Sequence, residues 1–185
     1  MLRRFKKESL PTLGGIRPQT DWEWLSVAQH QGMPTRLLDW TANALAGLWF
    51  AVAADTPDEN RDGVLWILDV DPENETQPAA KDVFSLNRTY VFQPFHLDRR
   101  IVAQSAWFSV HRYSEKVDQF IPLNTNSRFS KSFTKLVVPR SRFQALRQEL
   151  RLMGVSQATM FPDLGGLCAD IQAEVLDSWK SLTTI

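Results

Sequence analysis

Hydrophobic positions along this chain switch between helical and extended periods, and the switches fall at recognisable punctuation. Trp22, Leu25 and Ala28 recur at three-residue steps, with Thr20 and Asp21 as caps, and predict a helix over about 21 to 31 that Gly32 ends in the left-handed conformation. Pro34 biases Met33 away from helix, so Thr35 to Asp39 reads as extended. Thr35, Leu37 and Asp39 would then lie on one side, and Arg36 and Leu38 on the other. Thr41 is the expected N-cap of a second helix over about 42 to 54, where Leu45, Leu48, Trp49 and Val52 recur; it is apolar almost all round and so expected to be buried.

Beyond a polar turn at 55 to 62, the continuous apolar run Gly63 to Val70 reads as an interior strand. Residues 71 to 89 read as a long surface excursion, Tyr90 to Phe95 as a short edge strand ended by Pro94, and Ala106 to Tyr113 as a half-buried strand. Residues 114 to 133 read as loop. A short strand at Thr134 to Pro139 follows, then a helix over about 141 to 153 with Gly154 as its stop. A last helix over about 164 to 180, capped by Asp163, carries the stripe Leu164, Leu167, Cys168, Ile171, Val175, Leu176 and Trp179. Residues 1 to 20 hold two basic pairs, then Pro11, Gly14, Gly15 and Pro18, and read as a mobile lead-in to a domain over 21 to 185. Helices and strands interleave without a regular βαβ cadence, so the expected class is α+β with a small mixed or mainly antiparallel sheet.

Composition narrows the partners more than the fold. At 43% hydrophobic and 23% charged the chain is ordinary globular protein, long enough for a core. Formal net charge is zero and pI about 6.8, which gives the whole chain no electrostatic reason to coat nucleic acid or an anionic membrane. No apolar run approaches the roughly 20 residues of a membrane span. The single cysteine, Cys168, suits a reducing cytoplasm and, from its place on the last stripe, is expected to be buried packing.

Candidate chemistry concentrates between the first two helices. His30, at a helix C-terminus, could orient a substrate or move a proton. Arg36 offers a planar fork of donors and Asp39 an acceptor; equally, the two could pair with each other. Trp40 is a stacking platform or a core ring. Arg99, Arg100 and Gln104 precede a strand carrying Trp107, Ser109 and His111, where paired arginines could grip a phosphate and His111 could be a satisfied core histidine. The histidines lack metal-ligand spacing, and neither a Gly-x-Ser-x-Gly elbow nor a phosphate-binding glycine loop is present.

The string Gln29-His30-Gln31-Gly32-Met33-Pro34-Thr35-Arg36-Leu37-Leu38-Asp39-Trp40-Thr41 closely resembles the signature of the FRG domain, a mainly prokaryotic family named for a Phe/Tyr-Arg-Gly motif. Further similar segments are Asp62 to Trp66, Arg100 to Gln104, Phe108 to His111, Val138-Pro139 and Met160 to Leu167, so the resemblance is expected to run through nearly the whole chain. The Phe/Tyr-Arg-Gly motif itself is absent, which implies a family fold missing its first part. The family layout resembles that of ADP-ribosyltransferases and implies a nucleotide site, NAD being the cofactor suggested. His30 and Asp39 would then be catalytic, and Gln29, Thr35, Arg36, Trp40, Arg100, Gln104 and His111 would bind substrate; no metal is implied. The other expectations are a non-catalytic effector module that holds a nucleotide or a protein partner, and an inactive truncated member that self-associates through an exposed sheet edge.

Overall fold

The computed structural model describes residues 1–53, 61–78, 82–116 and 118–182, the side chains of 177–182 excepted. It is α+β, as the periodicities predict, and divides into two compact units where the sequence reading drew a lead-in and one domain: Met1–Ala42 with Trp66–Leu136, and Asn43–Leu65 with Val137–Ile185.

The first unit is built on an antiparallel three-stranded sheet in the order β1 (Leu37–Thr41), β4 (Ala106–Val110), β3 (Tyr90–Phe92). The register pairs Leu37 with Val110 and Asp39 with Phe108 on one side, and Tyr90 with Val110 and Phe92 with Phe108 on the other. Alternation along these strands makes two apolar faces. Leu37, Phe108, Val110, Tyr90 and Phe92 pack with Trp22 and Leu25 of α2 (Asp21–His30). Val91, Trp40 and Trp107 pack with Leu123, Phe129, Leu68 and Phe133 on the opposite side. β4, expected to be half-buried, is therefore covered on both faces, and Phe108, Ser109 and Val110 are fully buried. β3 is an edge strand as expected.

The predicted caps hold α2. The Thr20 hydroxyl accepts from the Glu23 amide while the Glu23 carboxylate accepts from the Thr20 amide, and Gly32 turns the chain out at φ +83°. Residues 1 to 20, expected to be a mobile lead-in, are helical over α1 (Leu2–Glu8). Leu2 packs on the α2 core, Phe5 meets Trp24 edge-on at 6.1 Å, and Lys6 pairs with Asp21. The glycines and prolines that suggested a tail punctuate only its second half. The excursion at 71 to 89 also differs from expectation, because Val83 and Leu86 return to the core and Thr76 donates to the Val91 carbonyl at 2.9 Å. Residues 114 to 133, expected to be loop, carry most of the small hairpin β5 (Tyr113–Ser114) and β6 (Gln119–Phe120) and contribute Leu123 and Phe129 to the core.

In the second unit α3 (Ala44–Ala53) buries Ala46, Trp49 and Val52 against Phe143 and Leu150 of α5 (Phe143–Leu152) and Met160 of α6 (Gln157–Met160). Asn43, not Thr41, caps α3: its carboxamide oxygen accepts from Leu45 at 3.0 Å. Thr41 is the last residue of β1 instead. Only one face of α3 is covered, and Phe50 stands 42% exposed. β2 (Gly63–Leu68) and β7 (Phe133–Val138), each divided between the two sets of residues, form a two-stranded sheet, and Trp66 and Ile67 of the first unit are exposed where an interior strand was expected. A short apolar run does not reveal how many sheet neighbours it will have. The last helix, α7 (Leu164–Leu182), starts at Asp163, whose carboxylate accepts from the Gly166 amide at 2.8 Å. Cys168 and the whole stripe up to Leu176 are exposed, contrary to the expected packing role.

Candidate functional site

All the candidate residues fall in the first unit, where the alternation of β1 sorts them onto two sides. On the α2 side, Gln29 joins two of them. Its amide nitrogen donates to the Asp39 carboxylate at 2.6 Å and its carbonyl accepts from the Thr35 hydroxyl at 2.7 Å. Thr35 Oγ1 in turn accepts from the Leu37 amide at 3.0 Å, so the extended turn out of α2 is pinned by side chains.

His30 closes this side. Its side chain is only 5% exposed, yet Nε2 has no hydrogen-bond partner; the nearest carboxylate oxygen, on Asp98, lies 3.8 Å away. Asp98 is the N-cap of α4 (Arg99–Ala103), accepting from the Arg100 amide at 2.8 Å. The Arg100 guanidinium reaches back to the His30 carbonyl at 3.5 Å. Burial is the largest influence on His30 and lowers its pKa; Asp98 and Asp39 pull it up and Arg100 pushes it down. The net effect favours a neutral imidazole with one buried, unsatisfied nitrogen, a costly arrangement in a folded protein. Sequence reasoning missed Asp98, although an aspartate directly before Arg99-Arg100-Ile101 is an N-cap signal.

On the other side, Arg36, Trp40 and His111 are committed to the fold. Arg36 donates to the Val83 carbonyl at 2.8 Å and to the His111 carbonyl at 2.6 Å, with the rings of Phe84 and Phe120 within 6 Å of its guanidinium. It makes no pair with Asp39, which faces away as the alternation predicts. Trp40 Nε1 donates to Ser109 Oγ at 3.0 Å, Ser109 Oγ lies 3.0 Å from His111 Nε2, and His111 Nδ1 lies 3.1 Å from the Ile121 carbonyl. That carbonyl can only accept, so Nδ1 carries the proton, Nε2 accepts from Ser109, and Ser109 accepts from Trp40. Each group is satisfied once by a neutral His111. Gln104 contributes its backbone carbonyl, which accepts from the Thr41 hydroxyl at 2.6 Å. The structure thus brings Gln29, His30, Thr35, Asp39 and Arg100 to one side and sets Arg36, Trp40 and His111 apart from them. Among the described residues no three His, Cys, Asp or Glu side chains are placed to hold a metal ion.

A pH dependence follows. Burial lowers both His30 and His111 from the ordinary value of 6.5. In that window the unfolded chain binds more protons than the folded one, so stability rises with pH, is complete above about 6.5 and falls as pH drops below it. The urea midpoint of wild type should be lower at pH 5.5 than at 7.5, and His111→Gln should flatten part of the difference. Equal midpoints in wild type would contradict the buried neutral imidazoles.

No curated protein and no solved structure matches the chain. Among the described residues no helix is long and apolar enough to cross a membrane. The family model of the FRG domain matches residues 1–60, a narrower span than the resemblance along the chain suggested, and that span includes α2, β1 and every residue from Gln29 to Thr41. That match, over the first 60 of 185 residues, makes this segment similar to the FRG domain, with the polar turn between α2 and β1 at its centre.

Proposed function

We propose that the first unit binds a nucleotide-like ligand at the pole formed by the end of α2, β1 and the start of α4. The observation that carries this reading is His30: a side chain 5% exposed whose Nε2 lacks a partner, 3.8 Å from Asp98. A ligand hydroxyl between the imidazole and the carboxylate would satisfy both. Asp39 and Asp98 are acceptors of the kind a ribose needs, and Arg100 brings the positive charge that suits a phosphate. NAD or ADP-ribose combines those groups in one molecule, in keeping with the ADP-ribosyltransferase-like layout the family suggests.

Binding without turnover is the second reading. It is favoured by Arg36 and His111, which are spent on backbone carbonyls and so take no part in the pole around His30. Calorimetric titration of the full chain with NAD and ADP-ribose separates the outcomes. Saturable heat is expected, weakened about tenfold or more by Asp98→Asn and His30→Ala, with far-UV circular dichroism unchanged. Absence of heat with either ligand sinks the nucleotide reading; binding without release of nicotinamide selects the non-catalytic module.

A further inference from the structure

We infer that His30 and Asp98 form a proton-operated switch at the α2–β1–α4 pole. With His30 neutral, Asp98 caps α4 and leaves the ligand gap open; with His30 charged, the same carboxylate oxygen is drawn onto the imidazole and the gap closes. The effect on a ligand rests on the reading proposed above, whereas the movement of Asp98 does not. Asp98 Oδ1 accepts from the Arg100 amide at 2.8 Å and stands 3.8 Å from His30 Nε2. One oxygen therefore faces two nitrogens and bonds only the first. A shift of about 1 Å would bring it to the roughly 2.7–2.9 Å of a charge-assisted hydrogen bond. The two side chains are 5% and 18% exposed, so water competes little for that bond.

Charge decides which arrangement holds. Asp98, at the N-cap of α4, and Asp39 of β1 attract a proton to His30, and Arg100 of α4 repels it. Asp39 is engaged by the Gln29 amide at 2.6 Å, which leaves Asp98 as the acid that answers the imidazolium. Burial opposes the charge most and, with Arg100, keeps the imidazole neutral and the gap open at neutral pH. Acidification puts a proton on both ring nitrogens and a full positive charge beside Asp98. In the closed arrangement Nε2 and Oδ1 satisfy each other, and a bridging hydroxyl finds neither donor nor acceptor there. Ligand affinity falls with the pH that closes the gap, and the first turn of α4 loses its cap in the same step.

NMR of the full chain between about pH 5 and 8 follows the His30 ring, told from the other two histidines by the signal missing in His30→Gln. The Arg100 amide should shift with the same midpoint as that ring. In Asp98→Asn, whose carboxamide still caps a helix but carries no charge, the His30 midpoint should fall and the Arg100 amide should no longer follow it. Calorimetry with ADP-ribose should show the dissociation constant of wild type rising by up to about tenfold per pH unit below that midpoint. His111→Gln, which removes the imidazole on the other side of β1, should give the same profile. An Arg100 amide indifferent to the His30 proton overturns the switch, as does a His30 midpoint unmoved in Asp98→Asn. Equal affinity above and below the midpoint overturns its control of the site. No heat at any pH sinks the nucleotide reading alone, since the Arg100 amide decides the switch without a ligand.

Discussion

Arg36→Ala is expected to cost the first unit about 2–4 kcal/mol. The guanidinium donates to two carbonyls, Val83 at 2.8 Å and His111 at 2.6 Å, and lies 5.9 and 5.5 Å from the ring centres of Phe84 and Phe120. Alanine leaves both acceptors without their donor and removes the ring contacts. Each abandoned, partly buried acceptor costs about 1–3 kcal/mol, part of which water recovers. Burial lowers the Arg36 pKa, but an arginine has so much range above neutrality that the charge stays. Arg36→Lys should lose most of the same energy, since one ammonium cannot span two acceptors that a planar fork reaches together. Asp39→Asn, at an exposed position, should change stability by less than about 0.5 kcal/mol. Urea titrations followed by circular dichroism make the comparison. If Arg36→Ala and Asp39→Asn unfold at the same midpoint, the guanidinium does not hold the fold, and its role would have to be sought in ligand binding.

Gly166→Ala is expected to destabilise the second unit by about 2–3 kcal/mol, although alanine is the better helix former. A Cβ at Gly166 would stand 2.7 Å from Phe161 Cβ and 2.8 Å from its carbonyl carbon, with the carbonyl oxygen closer still. Either the first turn of α7 lifts away and loses the Asp163 cap, or Phe161 leaves its ring contacts with Trp49 and Phe50. Gly165→Ala is the control one residue away: its nearest neighbour is the Asp163 side chain at 3.2 Å, a group able to give. That substitution should be neutral or stabilising by up to about 1 kcal/mol. Thermal unfolding that lowers Gly166→Ala but not Gly165→Ala is the expected pattern. Equal effects would remove the close approach to Phe161 as the reason for a glycine.

Local chemistry was legible in the sequence, and contacts between distant segments were not. Thr20, Glu23 and Gly32 bound α2 because capping and left-handed turns are decided within a few residues. The alternation from Thr35 to Asp39 put Arg36 and Asp39 on opposite sides before any coordinates did. Asp98 beside His30 was out of reach, because that meeting depends on how α4 returns past the end of α2. α1 was misread since Leu2 and Phe5 show their purpose only against Trp24 and the α2 core. Cys168 failed for a different reason: an apolar stripe states that a helix can be covered, but not whether its own chain covers it.

The ordered relay from Trp40 through Ser109 to His111 has an optical consequence. Adding a proton to Nε2 turns that nitrogen from acceptor to donor, so the serine hydroxyl must rotate and its oxygen then accepts from both the imidazolium and the indole, which changes the field at the ring. Tryptophan emission responds to such a change in its immediate field. The difference spectrum between wild type and Trp40→Phe should therefore change as His111, two side chains away, takes up a proton, a readout of interior acidity that needs no added dye.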